Sequence, residues 1–302
     1  MRILLCSNVY PPNFIGGAEI IAHAHARTLM ALGHEVQVFA GETVAFGERH
    51  ELRTDVHEGV TVHRLSMLPQ DYDANFVNFR HPRIEAHFEA LLEAFRPEVV
   101  HCHNIMGLSS ALPRLAKARG ATTVVTLHDH WGYCYKNTIM KRPGELCEDF
   151  SRCLECMPSV ADGDARAIPI RLRRDQLALD LAHVDAFVSP SRHLANSYER
   201  AGFPAGRLAV IWNGIDTARF GRVARRPSPG VLRVTYVGIL LEHKGVATLV
   251  DALARLPAGR VRLNLVGTGE LRPALEAALA TSGRAADVVF HGRVRNQDIE
   301  GG

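Results

Sequence analysis

The sequence predicts an α/β protein made of two Rossmann-like domains, the second of them incomplete. Residues 1–33 and 232–250 share one pattern: an apolar run, a glycine-bearing loop and an amphipathic helix. A strand that feeds a glycine loop at a helix N-terminus is how α/β proteins build a phosphate site. Two such beginnings, about one domain length apart, predict two domains facing each other across a cleft. Only about 70 residues follow residue 231, fewer than a complete second domain needs.

The order of elements supports this fold class, because apolar runs alternate with amphipathic segments, which is typical of parallel sheets covered by helices. We expect strands at residues 2–7, 35–40, 60–65, 98–102, 122–127, 184–189, 208–212, 232–237, 261–266 and 287–291. We expect helices at residues 17–32, 82–95, 107–119, 168–182, 191–201, 244–256 and 270–282.

The domain bounds follow from composition. We expect an N-terminal domain at 1–212, containing a long irregular, cysteine-rich insertion at 128–165. Residues 213–231 are rich in Gly, Pro and Arg without a clear period, which predicts a linker. The partial C-terminal domain then occupies 232–302.

Charge and hydropathy exclude some classes of function. The net charge of +3 is too small to indicate a nucleic-acid partner. No apolar run approaches the roughly 18 residues of a membrane span, and the N-terminus lacks the pattern of a signal peptide. We therefore expect a cytoplasmic protein whose thiols are reduced.

In the first domain, the candidate residues lie where predicted strands end. Gly16 and Gly17 begin a helix and allow a ligand to approach the backbone, although by themselves a plain turn explains them better. His128 follows the fifth strand, and an imidazole there can share a proton with a sugar hydroxyl; a hydrogen-bonded structural histidine is the alternative. For His101 and His103, packing or loop fixing is the favoured interpretation.

In the second domain, Lys244 follows Gly238 at the first turn of a predicted helix, which favours contact with a diphosphate over a solvated surface charge. The segment VGTGE, with Gly267 and Gly269, repeats the strand–glycine–helix pattern. The segment HGRV contains Gly292, Arg293 and Val294 and ends the next strand.

Taken together, these pieces resemble the retaining nucleotide-sugar glycosyltransferases of the GT-B fold, glycosyltransferase family 4. The segments that carry the resemblance span nearly the whole chain: NVYPPNFIGGAE, VVHCHN, VVTLHDHW, VSPSRHLANSY, VIWNGIDTARF, YVGILLEHKG, LVGTGE and VVFHGRV. The resemblance implies an acceptor-binding first domain and a second domain that binds the nucleotide sugar.

The same resemblance implies roles for individual residues. Gly16 and Gly17 match the loop beside the donor diphosphate, and His128 matches the histidine beside the transferred sugar. Lys244 matches the lysine that holds the diphosphate, and Gly292–Val294 match a loop near the base.

The sequence departs from the family pattern in two respects. Ile239 stands where the family usually has an arginine that helps Lys244 neutralise the leaving diphosphate. The paired glutamates and the C-terminal helix of the family fall beyond Gly302. We therefore expect a C-terminally truncated enzyme that does not transfer sugar as this fragment.

A cysteine cluster is the most specific local feature. Cys134, Cys147, Cys153 and Cys156 follow the pattern C-x12-C-x5-C-x2-C. Four thiolates with a terminal C-x2-C suit tetrahedral Zn²⁺, and a metal would order so long a loop. Free thiols or a disulfide are the alternatives. A zinc ion with four protein ligands would be structural, so we expect no cofactor for the chemistry.

Three functions are compatible with the sequence. The first is transfer of a sugar from a nucleotide-sugar donor to a carbohydrate or lipid-linked acceptor, in polysaccharide, glycolipid or cell-envelope glycan synthesis. The second is a nucleotide-sugar-binding or scaffold protein without catalysis. The third is a glycosidase, which would need two carboxylates about 5–10 Å apart. Residues 166–176 carry four arginines that a solvated helix face explains best, with peripheral contact to the inner membrane face as the alternative.

Overall fold

The computed structural model describes residues 1–13, 16–43, 47–72, 79–142, 144–157, 159–161, 166–215, 217 and 229–294. The chain divides into two compact units. The first comprises Met1–Lys141 and Leu146–Gly214, and the second comprises Arg142–Glu145 and Ile215–Gly302. Most of the predicted linker at 213–231 lies outside the described residues.

The described residues form short and long strands that alternate with helices. The strands are β1 (Arg2–Val9), β2 (Glu35–Glu42), β3 (Leu52–His57), β4 (Val60–Ser66), β5 (Val99–Cys102), β6 (Thr122–Thr126), β7 (Met140–Arg142), β8 (Glu145–Leu146), β9 (Ser159–Ala161), β10 (Ala167–Pro169), β11 (Ala186–Ser189), β12 (Leu208–Val210), β13 (Leu232–Val237), β14 (Val261–Val266) and β15 (Val288–Gly292). The helices are α1 (Gly17–Ala31), α2 (Pro82–Phe95), α3 (Leu112–Ala118), α4 (Ile170–Leu181), α5 (Arg192–Arg200), α6 (Val246–Ala254) and α7 (Arg272–Thr281). None of the helices in the described ranges is long and apolar enough to cross a bilayer.

The first unit is built around one sheet with the strand order β12-β11-β6-β5-β1-β2-β4-β3. All of its pairings are parallel except β3 with β4. Because β1, β5 and β6 are parallel neighbours, their carboxyl ends meet at one edge of the sheet. We call this edge, with the loops that follow β1, β5 and β6, the first carboxyl edge.

Both faces of this sheet are buried, as the continuous apolar strands predict. Along β1, Ile3 and Leu5 belong to one core cluster, whereas Leu4 and Cys6 belong to the other. The first cluster includes Ala26 of α1, and the second includes Phe88 of α2. The predicted α/β class with a parallel sheet is thereby confirmed.

Strand β3 was not predicted, and its pairing with β4 makes the sheet mixed rather than purely parallel. Its residues are exposed or half-buried, so the strand lacks the apolar run that marks the central ones. A two-residue turn joins β3 to β4, in which Glu58 has φ 45° and Gly59 has φ 83°. Positive φ at both positions is the requirement of a type I′ hairpin turn, and Glu-Gly is a weak sequence signal for it.

Two further predictions need correction. The helix expected at 107–119 begins only at Leu112, because residues 106–108 and 110–111 form turns and Pro113 favours a helix start. The insertion at 128–165 is not wholly irregular, since β7 pairs with β8 and β9 with the following β10. Strands of two or three residues carry no readable period, which is why the sequence does not predict them.

The second unit contains a parallel sheet, with the order β13-β14-β15 in the described residues. Leu263 and Leu265 of β14 are buried, and they share a core cluster with Val250 of α6 and Leu279 of α7. Helix α6 begins at Val246, two residues later than predicted, so Lys244 belongs to the preceding 3-10 turn. We call the end of this sheet, with the loops after β13, β14 and β15, the second carboxyl edge.

Candidate functional site

Three polar side chains join the loops of the first carboxyl edge. Asn8 Nδ2 donates to Asn104 Oδ1 at 2.9 Å, which ties the end of β1 to the loop after β5. Asn104 Nδ2 in turn donates to Asp129 Oδ2 at 3.2 Å, in the loop after β6. Gly107 N donates to Asn8 Oδ1 at 2.7 Å. This chain of amide and carboxylate groups fixes the three loops relative to one another.

The remaining contacts of Asp129 shape the segment that follows it. Its Oδ1 accepts a hydrogen bond from Trp131 N at 2.8 Å, and its carbonyl oxygen accepts one from the Tyr198 hydroxyl at 2.9 Å. Asp129 is thus held by neighbours on both sides, which suits a positioning group. The backbone of the adjacent His128 is therefore held in place by the contacts of Asp129.

His128 lies half-buried at the first carboxyl edge. Its Nε2 and the Nδ1 of the fully buried His103 share a hydrogen bond of 2.9 Å, and the two rings stack with centroids 5.2 Å apart. Burial lowers the pKa of His128 to about 4, so the ring is neutral near pH 7. A neutral imidazole can donate to or accept from a hydroxyl without placing a charge in the site.

The glycine pair at the start of α1 has open space around it. A Cβ added at Gly16 or at Gly17 would meet no atom within 4 Å. Gly16 has an extended backbone with φ −156°, which any residue adopts. Its N–H donates to the buried Glu19 carboxylate at 2.8 Å, which caps the helix. Neither packing within the described residues nor backbone strain therefore requires glycine here.

A buried arginine anchors the beginning of the same loop. Arg64 on β4 donates to the carbonyl oxygens of Tyr10 and Pro11 at 3.0 and 2.7 Å. Its Nε also donates to Asp55 Oδ2 on β3 at 2.8 Å. The β3–β4 hairpin, which the sequence did not predict, therefore positions the chain that leads into the glycine pair.

In the second unit, Lys244 is exposed and reaches solvent from the turn before α6. No ion pair or side-chain hydrogen bond engages its ammonium group within the described residues. Gly245 follows with φ 71° in the left-handed region, where glycine is favoured, and it forms the N-cap of α6. A free cation beside a helix N-terminus suits an anionic ligand.

The glycines after β14 are required for a different structural reason. A Cβ at Gly267 would lie 1.8 Å from the carbonyl oxygen of Gly238, and one at Gly269 would lie 2.3 Å from that of Leu240. Gly267 also has φ 140°. The backbones after β13 and β14 therefore touch, and packing alone requires glycine at 267 and 269.

The predicted base-side loop follows β15. Gly292 has φ 69° and open space at its Cβ position, while Arg293 is exposed and Val294 half-buried. Gly238, Gly267 and Gly292 lie at the ends of neighbouring strands of one sheet. The structure therefore brings the second-unit candidates together at the second carboxyl edge.

The four cysteines of the insertion line one cavity, and all are free thiols. Burial raises the pKa of the Cys147 and Cys153 thiols, which keeps them protonated without a metal. Among the described residues, no three of the sulfurs lie within 4.8 Å of one another, a spacing that a tetrahedral site requires. Four thiols are a ligand set that zinc accepts, but the distances between the sulfur atoms would have to shorten for one ion to bind them all.

Sequence reasoning did not single out Asn8, Asn104 or His25. The asparagines stand in the segments NVYPPN and VVHCHN, directly after predicted strands, and that position is the signal by which they could have been found. His25 has no such signal, because its position on α1 only becomes informative once α1 is placed over β5.

A comparison with protein-family models matches residues 15–219 to the family described as Glycosyltransferase Family 4. Among curated proteins, the chain is similar to glycogen synthase of Mycobacterium tuberculosis, with 27% identity over 285 residues. The alignment covers 89% of this chain and 62% of the relative. The chain thus spans less than two thirds of that relative's length.

Two solved structures show the same fold at low sequence identity. Anabaena HepE in complex with UDP and glucose has a TM-score of 0.58 and 17% identity, covering 98% of this chain and 70% of that one. The catalytic domain of Arabidopsis thaliana starch synthase IV, bound to ADP and acarbose, has a TM-score of 0.62 and 14% identity. There the coverage is 98% of this chain and 74% of the other. The α/β fold with a predominantly parallel sheet is that of GT-B glycosyltransferases.

Proposed function

The chain belongs to glycosyltransferase family 4, and from this premise we propose that it serves transfer of a sugar from a nucleotide-diphosphate sugar to an acceptor hydroxyl, with retention of configuration. The proposed context is synthesis of a polysaccharide, a glycolipid or a cell-envelope glycan. The observation that carries the proposal is the neutral, fixed His128 at the first carboxyl edge, on the unit that the family match covers almost completely.

His128 is suited to contact with the transferred sugar. Its Nε2 is engaged by His103, which leaves Nδ1 for a ligand hydroxyl. Because the transition state of glycosyl transfer is cationic at the sugar ring, a neutral imidazole avoids the repulsion that an imidazolium would cause. The open space beside Gly16 and Gly17 lies at the same edge and leaves room for a ligand.

The donor diphosphate is assigned to the second carboxyl edge. Lys244 and the N-terminus of α6 supply positive charge there, and the loop of Gly292, Arg293 and Val294 is proposed to border the base. Ile239 provides no charge where the family usually has arginine. Lys244 is therefore the main cationic contact in this proposal.

A structural zinc ion at the four cysteines is a second part of the proposal, and a buried arginine supports it. Arg173 is 8% exposed, its Nη1 has no partner, and no carboxylate pairs with it among the described residues. Burial lowers the pKa of Arg173 to about 10, whereas Cys134 and Cys153 act in the opposite direction. A zinc tetrathiolate carries a net charge of −2, which would compensate this buried cation.

Elemental analysis of protein purified under reducing conditions tests the zinc site. Cys156→Ser is expected to remove about one equivalent of thiolate-bound metal and to lower the melting temperature, because structural metals supply folding energy. Leu154→Ala, at an exposed position of the same segment, is the control. A Cys156→Ser protein with unchanged metal content contradicts the assignment.

A nucleotide-sugar-binding protein without turnover is the second candidate, and the absence of an arginine at Ile239 favours it.

A glycosidase is disfavoured, because the contacts of its candidate carboxylates do not suit the two catalytic roles. Asp129 is held by Trp131 N and Asn104, and hydrogen bonds from Ser151 lower the pKa of the exposed Asp149, which makes it a poor general acid.

Two experiments test the proposal. The first is calorimetric titration of the 302-residue chain with UDP, ADP and GDP, and the second is a transfer assay with labelled nucleotide sugars. Binding of a nucleoside diphosphate with transfer supports the enzyme, and binding without transfer supports the second candidate. Absence of binding to any nucleotide contradicts the proposed donor.

A further inference from the structure

Three histidines from separate segments converge beside the first carboxyl edge. His25 comes from α1, His101 from β5 and His103 from the residue after β5. One ring nitrogen of each lies within 4.8 Å of those of the other two. The ring centroids of His101 and His103 are 4.5 Å apart, and His25 lies 5.8 and 5.2 Å from them.

Packing alone does not account for this cluster. His103 is 0% exposed, and its Nε2 has no hydrogen-bond partner among the described residues. A buried polar atom left without a partner destabilises a protein by about 1–3 kcal/mol. An ordered water or a bound metal ion would satisfy this nitrogen, and the two neighbouring imidazoles favour the metal.

The other ring nitrogens are already held in place. His103 Nδ1 shares its hydrogen bond with His128, and His101 Nε2 shares one of 2.7 Å with the Thr126 hydroxyl. These contacts leave His103 Nε2 and His101 Nδ1 for a ligand. Metal-bound histidines are typically oriented in this way, through a hydrogen bond on the nitrogen that does not bind the metal.

The geometry points to a site for one divalent transition-metal ion of the zinc class, bound by the imidazoles of His25, His101 and His103. Three imidazoles with a fourth position open to water or a substrate oxygen are a ligand set that zinc accepts. Zinc–nitrogen bonds of about 2.0–2.1 Å separate tetrahedral ligand atoms by about 3.4 Å. Side-chain rotations that move the nitrogens by about an ångström would close the present spacing.

A second histidine cluster in the same unit provides a contrast. His23, His57 and Glu58 also place ligand atoms within 4.8 Å of one another. There, however, His23 Nδ1 already pairs with the Tyr10 hydroxyl at 2.8 Å and His23 Nε2 with Glu58 at 3.1 Å. Because both nitrogens of His23 are satisfied, this cluster needs no metal and serves as an internal control.

Metal binding would act on His128 through His103, a consequence that rests on the proposed function. If His103 binds the metal through Nε2, its Nδ1 carries the proton and donates to His128 Nε2. His128 then carries its own proton on Nδ1, facing the ligand side. The metal would thereby select the His128 tautomer that donates to a sugar hydroxyl.

Titration of the full chain with Co²⁺, followed by absorption spectroscopy, tests the site. Thiolate-bound cobalt shows sulfur-to-metal charge-transfer absorption, which imidazole-bound cobalt lacks, so the spectrum separates this site from the four cysteines. We expect one equivalent of cobalt to bind without the charge-transfer signal. Cobalt binding through thiolates alone overturns the proposal.

Two matched variants locate the ligands. His25→Gln, at a half-buried helix position, should weaken the imidazole-bound cobalt by at least about 100-fold, more than loss of an outer-shell partner does. His23→Gln, two residues earlier on the same helix, should leave affinity unchanged. Equal affinity of the His25→Gln protein, or an equal loss in the His23→Gln protein, overturns the proposal.

A thermal readout guards against misfolding of the variants. Zinc should raise the melting temperature of the wild-type and His23→Gln proteins by the same amount, and that of the His25→Gln protein by less, because only the cysteine site would remain to bind the metal. Calorimetry with the nucleoside diphosphate that binds the wild-type protein should give the same affinity for the His25→Gln protein. Failure of the metal site is thus distinguishable from failure of the proposed function.

Discussion

The first and second carboxyl edges share a sequence pattern, a strand followed by glycines, but the physical reason for the glycines differs between them. At the first edge, Gly16 and Gly17 have open space and ordinary backbone angles, so nothing among the described residues requires glycine there. At the second edge, Gly267 and Gly269 meet the carbonyl oxygens of Gly238 and Leu240 at distances no Cβ tolerates. A glycine after a strand can therefore mark room left for a ligand or a contact between two backbones.

The electrostatic character of the two edges differs as well. The first holds buried or half-buried neutral rings and amides, such as His103, His128 and Asn104. The second is exposed and carries the cation of Lys244, which has no ion-pair partner among the residues that the structure describes. This contrast suits a first unit that contacts sugar hydroxyls and a second unit that attracts a diphosphate.

Gly267→Ala should give the largest effect. Its Cβ would overlap the carbonyl oxygen of Gly238, and φ 140° is unfavourable for alanine. Overpacking and backbone strain each destabilise by about 1–3 kcal/mol, so together we expect a loss of about 2–6 kcal/mol in the second unit. Amide hydrogen exchange of Leu263 and Leu265 would report it. Unchanged protection of these amides would show that the backbones after β13 and β14 do not touch.

The second largest effect should be the destabilisation of the first unit by acid. Burial lowers the pKa of His81, which is 5% exposed, to about 4, while Arg49 and His50 act in the same direction and Asp71 and Glu85 oppose them. The unfolded chain binds this proton below about pH 6.5 and the folded chain only below about pH 4, so stability falls as pH decreases through that window. The loss from His81 approaches about 3 kcal/mol.

His81→Phe, which removes the titrating group and keeps an aromatic ring, tests this value. Denaturation from pH 7 to pH 4 should show a shallower loss for the variant than for the wild-type protein. His183→Gln, at an exposed position of the first unit, is the control and should leave the wild-type slope in place. Parallel curves for the wild-type and His81→Phe proteins would mean that His81 already binds a proton in the folded state.

Lys244→Ala tests the charge of the second edge. A charged hydrogen bond contributes roughly 1.5–3 kcal/mol, so affinity for a nucleoside diphosphate should fall about tenfold or more in calorimetry. Arg255→Ala removes another exposed cation of the same unit and should change little. Similar losses in both variants would indicate general electrostatic attraction rather than a contact at Lys244.

Gly17→Ala should have the smallest effect on stability, and in the opposite direction from Gly267→Ala. The position is open and helical, so alanine should stabilise the first unit by about 0.5 kcal/mol through the lower entropy of the unfolded chain. Thermal denaturation measures it. A destabilised Gly17→Ala protein would erase the distinction between the two glycine pairs.

The sequence predicted most of the sheet, because central parallel strands are continuous apolar runs that need no knowledge of their neighbours. It did not predict β3, whose exposed and half-buried residues and Glu58–Gly59 turn become interpretable only when β4 is paired with it. The start of α3 at Leu112 depends on turns that lack a period.

At the candidate site, the sequence pattern identified several residues, but it did not show the contacts that explain why those residues are there. His128 and Lys244 follow strands or glycine turns, which is a local signal. The demand for glycine at 267, by contrast, arises from the carbonyl of Gly238, which lies 29 residues away in sequence. The pairing of His103 with His128 and the approach of His25 likewise depend on strand order and helix placement.

The anchoring of the glycine loop by Arg64 has a consequence for protein engineering. Exchange of the segment from Tyr10 to Gly17 between relatives would transplant the loop without the side chain that holds its first carbonyls. Lysine at 64 would not rescue such a chimera, since one ammonium group cannot reproduce the fork that reaches Tyr10, Pro11 and Asp55 at once. The smallest transferable module is therefore the loop together with the β3–β4 hairpin.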